Sequence, residues 1–168
     1  MEGGALSRLV VRCVEATTGT RTRVLVNDRL DVALTAGAHG VHLRGDSMPA
    51  HRARTLAPPG FLIGRSVHTV EEAVRVTADA GLDYVLVGAV FATASKPGYA
   101  AVGVRVLADV AAATTVPVLA VGGITADTVR QLGDTGSAGF AAIGFFANED
   151  GERLREAVSA ASLAFGRR

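Results

Sequence analysis

The chain has 168 residues, 49% hydrophobic and 20% charged, a balance that builds one domain with a real core and excludes a disordered chain. The formal net charge is +1 with the arginines scattered, which excludes a nucleic-acid footprint, and no apolar run approaches the roughly 20 residues of a membrane span. The single Cys13 excludes an internal disulfide, and "MEGGALSRLV" lacks the apolar region of a secretory signal, so the chain reads as soluble and cytoplasmic.

Strand and helix patterns alternate along its whole length. Leu6, Leu9, Val10, Cys13 and Val14 form a helical stripe, with Gly19 as its stop. "RVLVND" reads as a buried strand and "RLDVALTAG" as a short helix. "GVHLR" is the second strand, and "MPAHRARTLA" a helix that Pro58 and Pro59 end. "FLIGRS" is the third strand; Thr69 and Glu72 form a capping box that opens "VEEAVRVTADAG". "DYVLVGAVF" is the fourth strand, "VRVLADVAAAT" a helix and "VPVLAVGG" the fifth strand. "ADTVRQLGDTG" reads as a helix capped by Thr125, "GFAAIGFF" as the sixth strand, and Leu154, Val158, Ala161 and Phe165 mark a final helix.

Six strands, each followed by a helix, imply a parallel sheet with right-handed crossovers. A doubly wound sheet needs a glycine-rich turn after its first strand, and "VLVNDRLD" has no glycine. Polar residues gather instead at the C-terminal ends of the strands, as in a TIM-type (β/α) barrel. The expected architecture is therefore a single barrel domain over residues 1–168.

Several strand ends carry residues suited to chemistry. Asn27 and Asp28 close the first strand; Asp28 either holds Mg²⁺ with a substrate diphosphate or caps the next helix. His42 stands among apolar neighbours and is assigned no role, while Asp46 is a second acid nearby. His68 either titrates near neutrality or belongs to the turn beside it; His39 and His51 are given no function. The loop after the fourth strand brings Thr93, Ser95 and Lys96 within four positions, two hydroxyls and an ammonium that match a phosphate or carboxylate, or else a solvated loop. In "AVGGIT", Gly122 and Gly123 allow a ligand close to the backbone, and a helix starting at Thr125 would aim free amides at the same spot. Gly144 in "AAIGFF" repeats the device on the adjacent strand, where barrels place a phosphate.

The segments "VLVNDRLDVALTAGAHGVHL", "IGRSVHTVEEA", "DYVLVGAVFATASKPG" and "VPVLAVGGIT" together resemble the thiamine phosphate synthase/TenI superfamily, over nearly the whole chain and in order. The wording of "IGRSVH" and "YVLVGAVF" is closer to the TenI branch. The resemblance implies thiamine biosynthesis: either a thiazole phosphate attacks a pyrimidine methyl diphosphate, with pyrophosphate leaving on Mg²⁺, or a thiazole carboxylate phosphate is tautomerised. It assigns Asn27 and Asp28 to the diphosphate and metal, Ser66, Thr93, Ser95 and Lys96 to catalysis, and Gly123, Ile143 and Gly144 to the thiazole phosphate.

Three departures temper that assignment. The family barrel has eight strands, and this chain matches six, without the first two and their "QxRxK" segment. Either a second copy covers the exposed edges, giving a homodimer, or the reading frame is truncated. Ser47 stands where the family carries its second metal carboxylate, and Ala89 where the TenI branch can carry a histidine. The alternatives are a catalytically impaired ligand-binding or regulatory homologue, and a barrel enzyme for another phosphorylated substrate.

Overall fold

The computed structural model describes residues 3–93, 98, 100–147 and 151–165. The chain packs as two compact units, one of residues 1–66 and 78–84, the other of residues 67–77 and 85–168. Each carries three parallel strands.

In the first unit, α1 (Gly3–Ala16) precedes β1 (Leu25–Asn27), α2 (Leu30–Thr35), β2 (Gly40–Leu43), α3 (Ala50–Leu56) and β3, which begins at Leu62 and runs to Val67. The strand order is β1-β2-β3, with Val26 opposite Val41 and Val41 opposite Ile63. Those three, with Leu43, point to the same face and bury against Leu30, Val32, Ala33, Ala50, Ala53 and Val10 of the helices. The period-two alternation of a strand sends Asn27, His42, Gly64 and Ser66 to the opposite face. That phase, rather than composition, collects the polar groups.

The unit is also tied at its base. The Arg54 guanidinium donates to the carbonyls of Phe61 (2.6 Å) and Gly81 (3.0 Å) and pairs with Asp83 at 2.5 Å. Asp83 in turn accepts the Ile63 N–H at 2.6 Å.

The second unit holds α4 (Val70–Ala78) apart from its last residue, most of β4 (Tyr84–Gly88), α5 (Gly103–Ala113), β5 (Val118–Val121), β6 (Gly139–Ala141), α6 (Gly144–Ala147) and α7 (Gly151–Phe165). The order β4-β5-β6 is again parallel, with Val87 opposite Ala120 and Ala120 opposite Phe140. Val85, Val87, Leu107, Val110, Val118, Ala120, Val129 and Leu132 are buried. Thr69 caps α4 by accepting the Glu72 N–H at 3.1 Å, while the Glu72 carboxylate takes the His68 N–H at 2.8 Å, one residue earlier than a capping box would have it.

Two sequence expectations are corrected here. No helix begins at Thr125: after β5 the chain makes only a 3₁₀ turn over Val129–Leu132, and Thr125 and Thr128 satisfy each other's backbone instead. Short polar side chains compete with a helix for its amides, and here they win. "GFAAIGFF" is also not one strand. It ends at Ala141, and the chain turns into α6 because the Phe140, Phe145, Phe146 and Phe165 rings cluster, with the Phe140–Phe145 centroids 5.2 Å apart.

Candidate functional site

The face of the first unit opposite its helices carries a hydrogen-bonded chain of three side chains. His42 Nε2 lies 2.8 Å from Ser66 Oγ, and Nδ1 lies 3.0 Å from the Tyr84 hydroxyl. The His42 and Tyr84 rings stack with centroids 5.7 Å apart. Gly64, opposite His42 in the register, makes room: a Cβ there would overlap three atoms of the Tyr84 ring. Burial, and then the charge of Arg65, hold His42 below the ordinary histidine value of 6.5. Burial, and then the Asp83 carboxylate, push the Tyr84 phenol up to about 12. The chain is thus a neutral imidazole between two hydroxyls, able to offer both a donor and an acceptor at Ser66.

Beside it stands Asp28, in a left-handed conformation (φ 62°) that is unusual for a residue with a side chain. Its N–H donates to the His42 carbonyl at 2.9 Å. The helix-cap alternative is not realised: the residue at the N-cap of α2 is Arg29, with no side-chain cap. The Asp28 carboxylate instead accepts a hydrogen bond from the Ser47 hydroxyl and faces Arg44 Nε at 3.3 Å. Asp46 lies on the same guanidinium, also at 3.3 Å. Asn27 ends β1 exposed, opposite His42. Among the described residues, no three His, Cys, Asp or Glu gather as metal ligands.

The second unit has a different kind of site, made of absent side chains. Gly122 (φ 96°) and Gly123 (φ 65°) both need the left-handed region. A Cβ on Gly122 would meet the Ala89 Cβ at 2.5 Å, and one on Gly123 the Phe91 Cβ at 2.7 Å. The backbone of this strand end is therefore packed directly on the segment that leads from β4 to Thr93, which is half-buried. His68 braces the same segment by donating from Nδ1 to the Gly88 carbonyl. Ile143 is 86% exposed at the entry to α6, and Gly144 is the first residue of that helix. Ser95 and Lys96 lie outside the described residues.

Of the expected site residues, the structure joins Ser66 to His42, to which the sequence alone assigns no role, and joins Asp28 to Ser47 and Arg44. Tyr84, Arg44 and Arg65 carry no mark in the sequence that singles them out. His42 carries a readable signal: in "GVHL" it occupies the strand phase opposite to Val41 and Leu43. His39 and His51 are structural. His39 accepts the Val24 N–H at 2.9 Å, and His51 pairs with Asp79 at the surface.

A family model described as thiamine monophosphate synthase matches residues 1–146. The chain belongs to that family. The thiamine-phosphate synthase of Methanoculleus marisnigri is 41% identical over 170 residues, covering 96% of this chain and 79% of that protein. The synthase of Coprothermobacter proteolyticus is 47% identical over 119 residues, covering 71% of this chain and 56% of its own length. Among solved structures, the thiamine phosphate pyrophosphorylase from Pyrococcus furiosus matches with a TM-score of 0.80 and 29% identity, over 99% of this chain and 78% of that one. An N-(5'-phosphoribosyl)anthranilate isomerase from Pyrococcus furiosus, at 15% identity and a TM-score of 0.69 over 94% and 80% of the two chains, shares the fold alone. The fold is accordingly of the TIM-type α/β barrel class expected, with six parallel strands among the described residues, and the family is one of thiamine biosynthesis. Among the described residues, no helix is long and apolar enough to cross a membrane.

Proposed function

We propose that the protein binds a thiazole phosphate in thiamine biosynthesis, with the phosphate against Gly122, Gly123, Ile143 and Gly144 and with Lys96 supplying the positive charge. The observation that carries this reading is the pair of left-handed glycines, Gly122 and Gly123, at the end of β5, since glycine turns after the late strands of a barrel are where this fold holds phosphates; their missing side chains make room for the Ala89–Ala92 segment beside them. Membership of the family, and the hydroxyls of Thr93 and Ser95 that follow β4 in the sequence, support it. Ala89 brings no titratable group where the tautomerising branch can carry a histidine, which favours coupling to a pyrimidine diphosphate over tautomerisation.

A second reading has its own observation. Ser47 and Arg44 close the Asp28 carboxylate, as in a homologue that keeps the ligand site and has lost turnover. Isothermal titration with thiazole phosphate tests the first claim. We expect saturable heat from the full chain and its loss in Gly123→Ala, and no heat from a folded chain with Lys96 intact would overturn it. Chromatographic detection of thiamine phosphate from both substrates, with and without Mg²⁺, then separates an enzyme from a binding homologue.

A further inference from the structure

We propose that Arg44 is the resident cation of Asp28, and that a divalent ion reaches this carboxylate only by displacing the guanidinium. This holds independently of the thiazole phosphate reading, since it concerns the ligand-free first unit.

A hard divalent cation such as Mg²⁺ demands about six oxygens in close octahedral array and surrenders its waters reluctantly. The strand ends of the first unit supply one carboxylate, and both of its oxygens are engaged: Oδ1 accepts from Ser47 Oγ, and Oδ2 faces Arg44 Nε at 3.3 Å. Ser47 is itself fixed, because its Oγ accepts the Arg44 N–H at 2.9 Å. The second acid, Asp46, is held on the same guanidinium with its side chain 76% exposed, so it brings its charge to Arg44 and not to a shared ion. A second guanidinium stands under the loop. Arg65 is buried and donates to the carbonyls of Gly45 (3.2 Å), Ser47 (3.3 Å) and Met48. Three carbonyl oxygens that could have faced an ion are turned onto a fixed positive charge instead. Two cations and two carboxylates thus leave the loop neutral, with its oxygens already donated to.

Mn²⁺ is the probe, read by electron paramagnetic resonance and by titration calorimetry on the full chain at low salt. The native protein should show no saturable Mn²⁺ site below about 1 mM, the weak end of protein divalent sites. Arg44→Gln should tighten Mn²⁺ by about two- to fivefold, the worth of one partly exposed charge pair, and Asp28→Asn on that background should abolish the gain. Ser47→Asp, which adds a carboxylate with Arg44 in place, should tighten it less than Ser47→Asp combined with Arg44→Gln. Thermal unfolding of each variant confirms that it is folded. A native Mn²⁺ site that Asp28→Asn removes and Arg44→Gln leaves unchanged would overturn the proposal. So would a folded Arg44→Gln protein that binds no more Mn²⁺ than the native one.

Discussion

Gly64→Ala tests whether the His42–Tyr84 contact organises the polar face of the first unit. Gly64 sits opposite His42, and the space where its side chain would be is filled by the Tyr84 ring: an added Cβ would overlap Cζ, Cε1 and Cε2. A tyrosine has only two side-chain torsions, so the methyl expels the ring instead of nudging it. Three contributions are lost. The Tyr84–His42 hydrogen bond, 3.0 Å long, is worth about 1 kcal/mol. The stacked ring pair is worth about 0.5–1.5 kcal/mol beyond its area. Partial exposure of the ring adds about 1 kcal/mol. Together they predict a destabilisation of about 3 kcal/mol in urea unfolding. The decisive assay is a double-mutant cycle with Tyr84→Ala. Once the ring is gone, the added methyl should cost less than about 0.5 kcal/mol, which gives a coupling of about 2 kcal/mol or more. An additive cycle, or a cost for Gly64→Ala below about 1 kcal/mol, would refute the claim that the glycine exists to seat the ring.

Three further outcomes are expected. Because burial and Arg65 hold His42 below 6.5, the folded chain resists a proton that the unfolded chain accepts; His42 therefore contributes stability in full above pH 6.5 and loses it progressively as the pH falls below that value. An NMR titration should place its midpoint under 6.5, and His42→Gln should flatten that part of the stability profile; a midpoint above 6.5 would contradict the assignment. Gly123→Ala should cost more than about 2 kcal/mol, since it adds a clash with Phe91 to the strain at φ 65°, whereas Gly19→Ala, at φ 78° with nothing within 4 Å, should cost only about 1 kcal/mol in the same melts. Arg54→Ala leaves the Asp83 carboxylate without its cation and two carbonyls without their donor, so chemical denaturation should report a loss of about 2–3 kcal/mol.

Much of the site is legible along the chain because parallel strands expose their ends in a fixed way. Asn27, Asp28, Gly122 and Gly123 follow apolar runs in the sequence, and each of them, like Ser66, lies at or near the end of a strand. Local chemistry misleads where two local preferences compete. "ADTVRQL" has the pattern of a helix, but Thr125 and Thr128 bond each other and leave one 3₁₀ turn. "GFAAIGFF" has the composition of a strand, but an aromatic cluster bends its second half into a helix.

The sequence by itself determined the alternation of six strands with helices, the family, and the strand ends at which chemistry would be sought. Only the tertiary structure decided which of those ends share a contact. Ser66 and His42 are 24 residues apart, Tyr84 and His42 are 42 apart, and Asp28 and Ser47 are 19 apart. Ser66 and Ser47 reach their partners because one helix-long crossover returns the chain to the neighbouring strand in a particular register, whereas Tyr84, two strands from His42, reaches it over Gly64 of the strand between. A shift of one residue would send His42 to the buried face and Val41 into its place. That register is set by how the helices pack on the sheet, a property of the folded whole. It turned an unassigned histidine into the centre of the polar face, and set Asp28 against Ser47 and Arg44.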